Sequence, residues 1–142
     1  VAVPLITGTG TNAMAFVYDH AAELGIGLLV VIALAKLLAL SGALAFGFIG
    51  GPIFPLLFVG TALGSALVLA FPQIPVGLAV GCLTVAVPAA VVPIPLALAV
   101  IGTVIMGMPP SNALPLAVAA LIAFSIVRGI GLARGENKAE TD

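Results

Sequence analysis

The stretch Gly47–Pro55, GFIGGPIFP, decides the fold because it separates two long apolar runs. The run before it, Leu24–Phe46, carries a single charge at Lys36, and the run after it, Ile53–Phe71, carries none. At a rise of about 1.5 Å per residue, helices of this length can cross a hydrocarbon core of roughly 30 Å. The glycines and the proline predict a break in the backbone, with a new helix beginning at Ile53. We therefore expect two membrane-crossing helices joined by a tight connection.

The composition of the whole chain excludes a water-soluble protein. Hydrophobic residues make up 63% of the 142 residues and charged residues 6%, whereas soluble proteins carry about 25% charged residues. No residue from Leu37 to Val127 has a formal charge, so this stretch cannot supply a polar outer face. The net charge of -1 provides no basic field for nucleic acid. The sequence predicts a multi-pass protein of the cell membrane whose surroundings are the lipid bilayer and not nucleic acid.

Three further apolar segments are short. They are Val76–Val87, Leu96–Met108 and Ala113–Val127, and each ends at a proline cluster or at Arg128. We expect none of them to cross a bilayer alone, because helix breaks at membrane depth persist only inside protein or beside a wet cavity. Broken helices of this kind are typical of channels and transporters. The predicted fold class is an all-α integral membrane protein, a bundle of tilted and broken helices.

Smaller features extend this prediction. A short helix over residues 12–23 should precede the first span, and Cys82, the only cysteine, should be a small buried residue. Two GxxxG pairs, Gly60/Gly64 and Gly77/Gly81, predict close contact between helices.

The break before Ile53 predicts an exposed helix start inside the membrane. Pro52 falls at the expected first helical position and Pro55 in the first turn, where a missing N–H breaks no intrahelical bond. No acidic residue caps this end, so its amides and the positive end of the helix dipole can bind an anion. A halide suits such a site because backbone donors bind weakly enough to permit release. The alternative is that the Gly-Pro sequence is only a tight turn between two spans.

The charged residues in and near the spans allow two interpretations each. Lys36 either lines a wet vestibule or has a structural partner or snorkels to the interface, because an unpaired charge in the membrane is costly. Asp19, His20 and Glu23 are residue types found in metal sites and proton relays. A polar cluster at the membrane interface is favoured, because the sequence offers no obvious fourth ligand. We expect no metal site.

The segment Leu34–Gly64, LAKLLALSGALAFGFIGGPIFPLLFVGTALG, resembles the part of CLC-family chloride channels and chloride/proton antiporters that contains their GGxFxP motif. Downstream, VVPIPLALAVIG resembles the family helix that begins at Ala-Pro-Leu, and NALPLAVAALIAF resembles the next helix. The spacing from Pro55 to Pro95 and Pro115 is similar to that of the family. The resemblance extends from about Val3 to Arg128. We expect residues 1–128 to form the C-terminal half of a CLC-like transmembrane domain, and residues 129–142 to be a disordered polar tail.

This resemblance implies that amides at the start of the helix after the motif bind the permeating anion. The corresponding anion-binding residues are Gly51, Ile53 and Phe54, and Lys36 corresponds to a basic residue that raises the anion concentration near the intracellular side. Pro52 departs from the family pattern, which has a residue with an N–H there. The departure leaves one amide fewer and favours a divergent subfamily, with fluoride as an alternative to chloride.

Several family features have no counterpart in this sequence. The family's serine-bearing anion loop and gating glutamate belong to its first half, and its pore tyrosine follows the last matched helix, whereas Tyr18 lies at the opposite end. The resemblance therefore implies one half of a CLC-type inverted repeat. The implied partners are the N-terminal half of the same fold and a second copy in a homodimer.

Two other functions remain open at the sequence level. One is a non-conducting membrane scaffold or assembly subunit, and the other is half of an unrelated secondary transporter. An enzyme is not expected, because no Ser/His, paired-Asp or HExxH arrangement occurs in the spans. We expect no cofactor, with chloride or another halide bound only as the transported ion.

Overall fold

The computed structural model describes residues 11–47 and 51–139, and no β-strand occurs among them. The helices are α1 (Thr11–Asp19), α2 (Ala21–Ala45), α3 (Ile53–Ala70), α4 (Val76–Val91), α5 (Pro95–Ile105) and α6 (Ala113–Ala139), with a 3-10 turn at Pro110–Asn112 before α6. This confirms the predicted all-α class.

Among the described residues, three helical stretches are long and apolar enough to cross a membrane: Ala21–Ala45, Ile53–Ala70 and Pro110–Gly131. Helices α4 and α5 have 16 and 11 residues, fewer than the roughly 20 that a span needs. Full spans and short helices together confirm the predicted multi-pass bundle. The prediction that the last apolar segment is too short to span was wrong, because α6 does not stop at Val127.

The continuation of α6 also alters the expected tail. The sequence predicts disorder from residue 129, but the helix continues to Ala139. Arginine, glutamate, lysine and alanine are all good helix formers, and adding residues to an existing helix avoids the cost of nucleation. Residues 140–142 lie outside the described residues.

The start of the first span contains a backbone kink. Helix α1 ends at Asp19 and α2 begins at Ala21, so the predicted short helix over residues 12–23 is divided in two. Within α2, Gly25 has φ 73° and ψ 160°, a conformation restricted almost entirely to glycine. The continuous apolar helix therefore starts just after Gly25, close to the predicted boundary at Leu24.

Helices α3 and α4 approach each other closely at the first GxxxG pair. A Cβ atom added to Gly60 would collide with the backbone of Leu83 and would lie 2.6 Å from Thr84 Cα. One added to Gly64 would lie 2.7 Å from Val80 Cα. The predicted close contact is confirmed here, because only glycine lets the two backbones come this near.

Pro88 does not end its helix as expected. The sequence predicts an end at Val87, but α4 continues to Val91, and the amide of Val92 donates to the carbonyl of Pro88 over 2.8 Å. A proline this close to the carboxyl end removes one helical hydrogen bond. Pro88 and Ala89 are both buried, so packing of this last turn offsets the lost bond.

The buried apolar side chains of the described residues form two clusters. The first cluster joins α1, α2 and α3 around Leu29, Ile32 and Phe58, and the second joins α4, α5 and α6 around Val85 and Leu98. Ile53 packs against both. The first residue of α3 is thereby held from two sides.

Candidate anion site

The amino end of α3 offers two backbone donors with no acceptor within the helix. Pro52 precedes the helix with φ -72° and ψ -13°, one position earlier than predicted, and Ile53 is the first helical residue. The first amide to bond back along the helix belongs to Leu56, which donates to the Pro52 carbonyl over 3.1 Å. Because Pro52 and Pro55 have no N–H, only Ile53 and Phe54 carry amides in this turn, and the helix itself provides no acceptor for them.

No side chain of the described residues neutralises this end. The first turn of α3 contains no acidic residue, and no side chain caps it by a hydrogen bond. The dipole of a helix places about half a positive charge at its amino end. The described structure therefore leaves this end positive, as an anion site requires.

The predicted anion-binding residues lie side by side along the chain and differ in burial. Gly51 is exposed, with no atom within 4 Å of the position that a Cβ would take. Phe54 is 41% exposed, whereas Ile53 is half-buried between the two clusters. The helix start is thus fixed by Ile53 while the backbone just ahead of it stays accessible. Residues 48–50 lie outside the described residues.

Lys36 is buried against α3. Its side chain is 4% exposed, and its Nζ lies 5.5 Å from the centroid of the Phe58 ring, within the range of a cation–π contact. This contact fits a structural pairing of Lys36, which the sequence allowed as an alternative to lining a wet vestibule. Phe58 is five residues after Ile53, which places its backbone about 7.5 Å along the helix axis from the candidate site.

The polar cluster at the end of α1 has local contacts. The ring of His20 stacks on Phe16 at a centroid distance of 4.3 Å, and its Nδ1 lies 3.2 Å from the Phe16 carbonyl oxygen. Asp19 and Glu23 are exposed. Among the side chains that the structure describes, no three from His, Cys, Asp or Glu come together as metal ligands would.

Sequence reasoning missed a row of hydroxyls inside the bundle. The Thr61 hydroxyl lies 3.0 Å from that of Thr84, which donates to the Val80 carbonyl over 2.7 Å. Ser65, one turn after Thr61, is 3% exposed, and its Oγ has no hydrogen-bond partner among the described residues. Hydroxyls four residues apart in an uncharged helix were the available signal.

This architecture defines a class of protein: a multi-pass membrane protein in which one span begins with open, positively polarised amides. The family model for the voltage gated chloride channel matches residues 1–128. The chain belongs to that family, and it is accordingly a membrane protein of anion transport. Family members are channels and transporters that function in a lipid bilayer. No curated protein and no solved structure matched the chain.

Proposed function

We propose that this chain forms one wall of an anion pathway, in which the amides of Ile53 and Phe54 bind the permeating halide. The observation that carries the proposal is the uncapped start of α3, where no amide before that of Leu56 bonds back along the helix. Gly51, exposed just ahead of the helix, contributes its own amide. The ion meets backbone dipoles and no opposite full charge, so it can leave again.

Pro52 limits the number of donors at this site. It occupies the turn where another residue would provide a third amide, so the ion is bound by fewer hydrogen bonds. We assign weak, rapidly reversible binding to this arrangement, with chloride as the first ion to test and fluoride as the second.

Lys36 contributes positive potential without contacting the ion. Its ammonium is held beside Phe58 in a low-dielectric interior, where electrostatic interactions extend farther than in water. Its proposed role is therefore to raise the local concentration of anions at the start of α3.

The proposed assembly is a homodimer in which each subunit completes its pathway with a matching half of the same fold. Leu96, Val100 and Val104 form an apolar row on α5, with 60%, 61% and 73% of their surface exposed. Paired copies would cover this row. Disulfide crosslinking of a Val100→Cys variant in a Cys82→Ser background should give a covalent dimer. A purely monomeric product would contradict a dimer interface on this row.

The transport proposal is tested by ion flux from liposomes that contain the chain together with the matching half of the fold, as one full-length protein. Efflux of chloride or fluoride, followed with ion-selective electrodes, is the expected result. A protein that passes neither ion would be a membrane scaffold or assembly subunit. Saturable uptake of an organic solute with no dependence on halide would instead indicate an unrelated transporter.

The role of the helix start is tested by two substitutions of equal size. Gly51→Asp and Gly51→Asn both enter open space, but only aspartate brings a negative charge to the amino end of α3. We expect Gly51→Asp to lower the halide flux about tenfold relative to Gly51→Asn, because its carboxylate competes with the ion for the amides. Equal flux through the two variants would show that transport does not depend on this helix end.

A further inference from the structure

A cavity of about 440 Å³ lies away from the start of α3, between the end of α1, the middle of α3 and the loop that follows α5. All three methionines of the chain, Met14, Met106 and Met108, line it, although Met14 is far from the other two in sequence. Tyr18 and Asp19 from the end of α1 complete its wall on one side. The anion pathway proposed above uses none of these residues.

The electrostatics of the cavity favour a cation. Asp19 is the only charged residue among the described residues that line it. The carboxyl ends of α1 and α5 also border the cavity and add partial negative charge, while the amino ends of α4, at Gly77, and of the turn that leads into α6, at Asn112, add partial positive charge. These partial charges of opposite sign largely cancel, so the full negative charge of the carboxylate sets the sign of the cavity and disfavours the halides that the family transports.

The walls of the cavity suit an organic ligand better than a metal ion. Its volume falls in the range of small-molecule sites, which is roughly 300 to 1,000 Å³. Methionine side chains adapt to irregular apolar shapes, and Met108 is anchored with its sulfur 3.2 Å from the Cβ position of Gly81. A hard metal would need several oxygen ligands, and the described lining provides one carboxylate.

We propose that this cavity binds an organic ammonium ion whose charge lies against Asp19 and whose apolar part contacts Tyr18 and the methionines. The Tyr18 ring adds a cation–π surface beside the carboxylate. Because Tyr18 and Asp19 are exposed, the ligand can enter at the polar end of α1. Such a ligand would bind independently of the transported anion.

The test measures binding of benzyltrimethylammonium to the purified protein in zwitterionic nanodiscs by isothermal titration calorimetry. We expect saturable binding, with Asp19→Asn raising the Kd at least tenfold. Glu23→Gln is the matched control, because Glu23 is also exposed and acidic but does not line the cavity. Its Kd should equal that of the unchanged protein. A Met108→Leu variant should keep most of the affinity, since leucine preserves the apolar wall.

Other results would overturn this proposal. Absence of saturable binding would contradict the site itself. Equal weakening of binding by Asp19→Asn and Glu23→Gln would mean that general surface charge attracts the ligand. Binding of benzenesulfonate as strong as that of the ammonium ion would contradict the sign of the site. Silver ions that bind only when Met108 is present, with no ammonium binding, would make it a soft-metal site. Halide flux is measured separately, so failure here leaves the transport proposal intact.

Discussion

Pro52 determines how many hydrogen bonds the amino end of α3 can give to an anion. Its conformation, φ -72° and ψ -13°, is one that alanine also adopts. A Pro52→Ala variant should therefore keep the helix start and add one amide to it. Since a hydrogen bond contributes about 1 kcal/mol net, we expect halide affinity to rise about fivefold, measured as the Kd for chloride by calorimetry.

Pro75 provides the matched control for this substitution. It precedes α4 as Pro52 precedes α3, and its carbonyl accepts a hydrogen bond from the amide of Ala79 over 3.0 Å. Pro75→Ala should leave the chloride Kd unchanged. If both variants raised the affinity equally, greater backbone freedom would explain the gain, and the extra amide would not.

The buried hydroxyl of Ser65 destabilises the fold, because no hydrogen bond among the described residues offsets its loss of water. Its Oγ is buried with no partner among the described residues, whereas the hydroxyl of Thr61 is bonded to Thr84 and to the Leu57 carbonyl. Ser65→Ala should raise the free energy of unfolding by about 1 kcal/mol, because it removes an unsatisfied polar group. Thr61→Val should lower it by a similar amount. Chemical denaturation in detergent measures both, and a destabilised Ser65→Ala variant would show that the hydroxyl has a partner.

At the scale of helices, the contact between α3 and α4 depends on Gly60. An alanine there would press its Cβ into the backbone of Leu83 and Thr84, and overpacking of this kind costs about 1 to 3 kcal/mol. Gly42, within α2, has no atom within 4 Å of its Cβ position. We expect Gly60→Ala to lower the melting temperature and Gly42→Ala to preserve or raise it. Equal effects would mean that helix propensity, not packing, governs both positions.

Several helix boundaries could be predicted because they depend on local chemistry. The start of α3 at Ile53 and of α4 at Val76 follow prolines, which fix φ and remove donors. Pro88 does not end its helix as this rule predicts, because burial of the last turn outweighs a single lost hydrogen bond. The end of α6 was also not predicted, since polar residues that follow a membrane span can continue its helix.

The candidate site was predictable only in part, since its amides are local and its surroundings are tertiary. The absence of N–H groups at Pro52 and Pro55 is written in the sequence. The contact of Lys36 with Phe58 joins residues of two different helices, and no periodicity within one helix predicts it. The same holds for the cavity lined by Met14, Met106 and Met108, whose members meet only once the bundle has formed.

At the scale of the whole molecule, Ile53 packs against both clusters while Gly51 remains open. A helix start that is rigid on one side and accessible on the other suits a site completed by a matching half of the fold. The cavity that we propose to bind an ammonium ion has the opposite charge, because Asp19 lines it. The proposed anion site and the proposed ammonium site thus differ in sign, since the first uses backbone amides and the second a side-chain carboxylate.

The most direct test of the central claim is an NMR titration of the protein labelled with ¹⁵N at isoleucine and phenylalanine. If the start of α3 binds the anion, the amide resonances of Ile53 and Phe54 should shift saturably as chloride is added. The amides of Ile32 on α2 and Ile101 on α5 should move little, and Gly51→Asp should abolish the shifts. Unmoved resonances of Ile53 and Phe54 in a protein that still transports chloride would contradict the account, because the ion would then bind elsewhere.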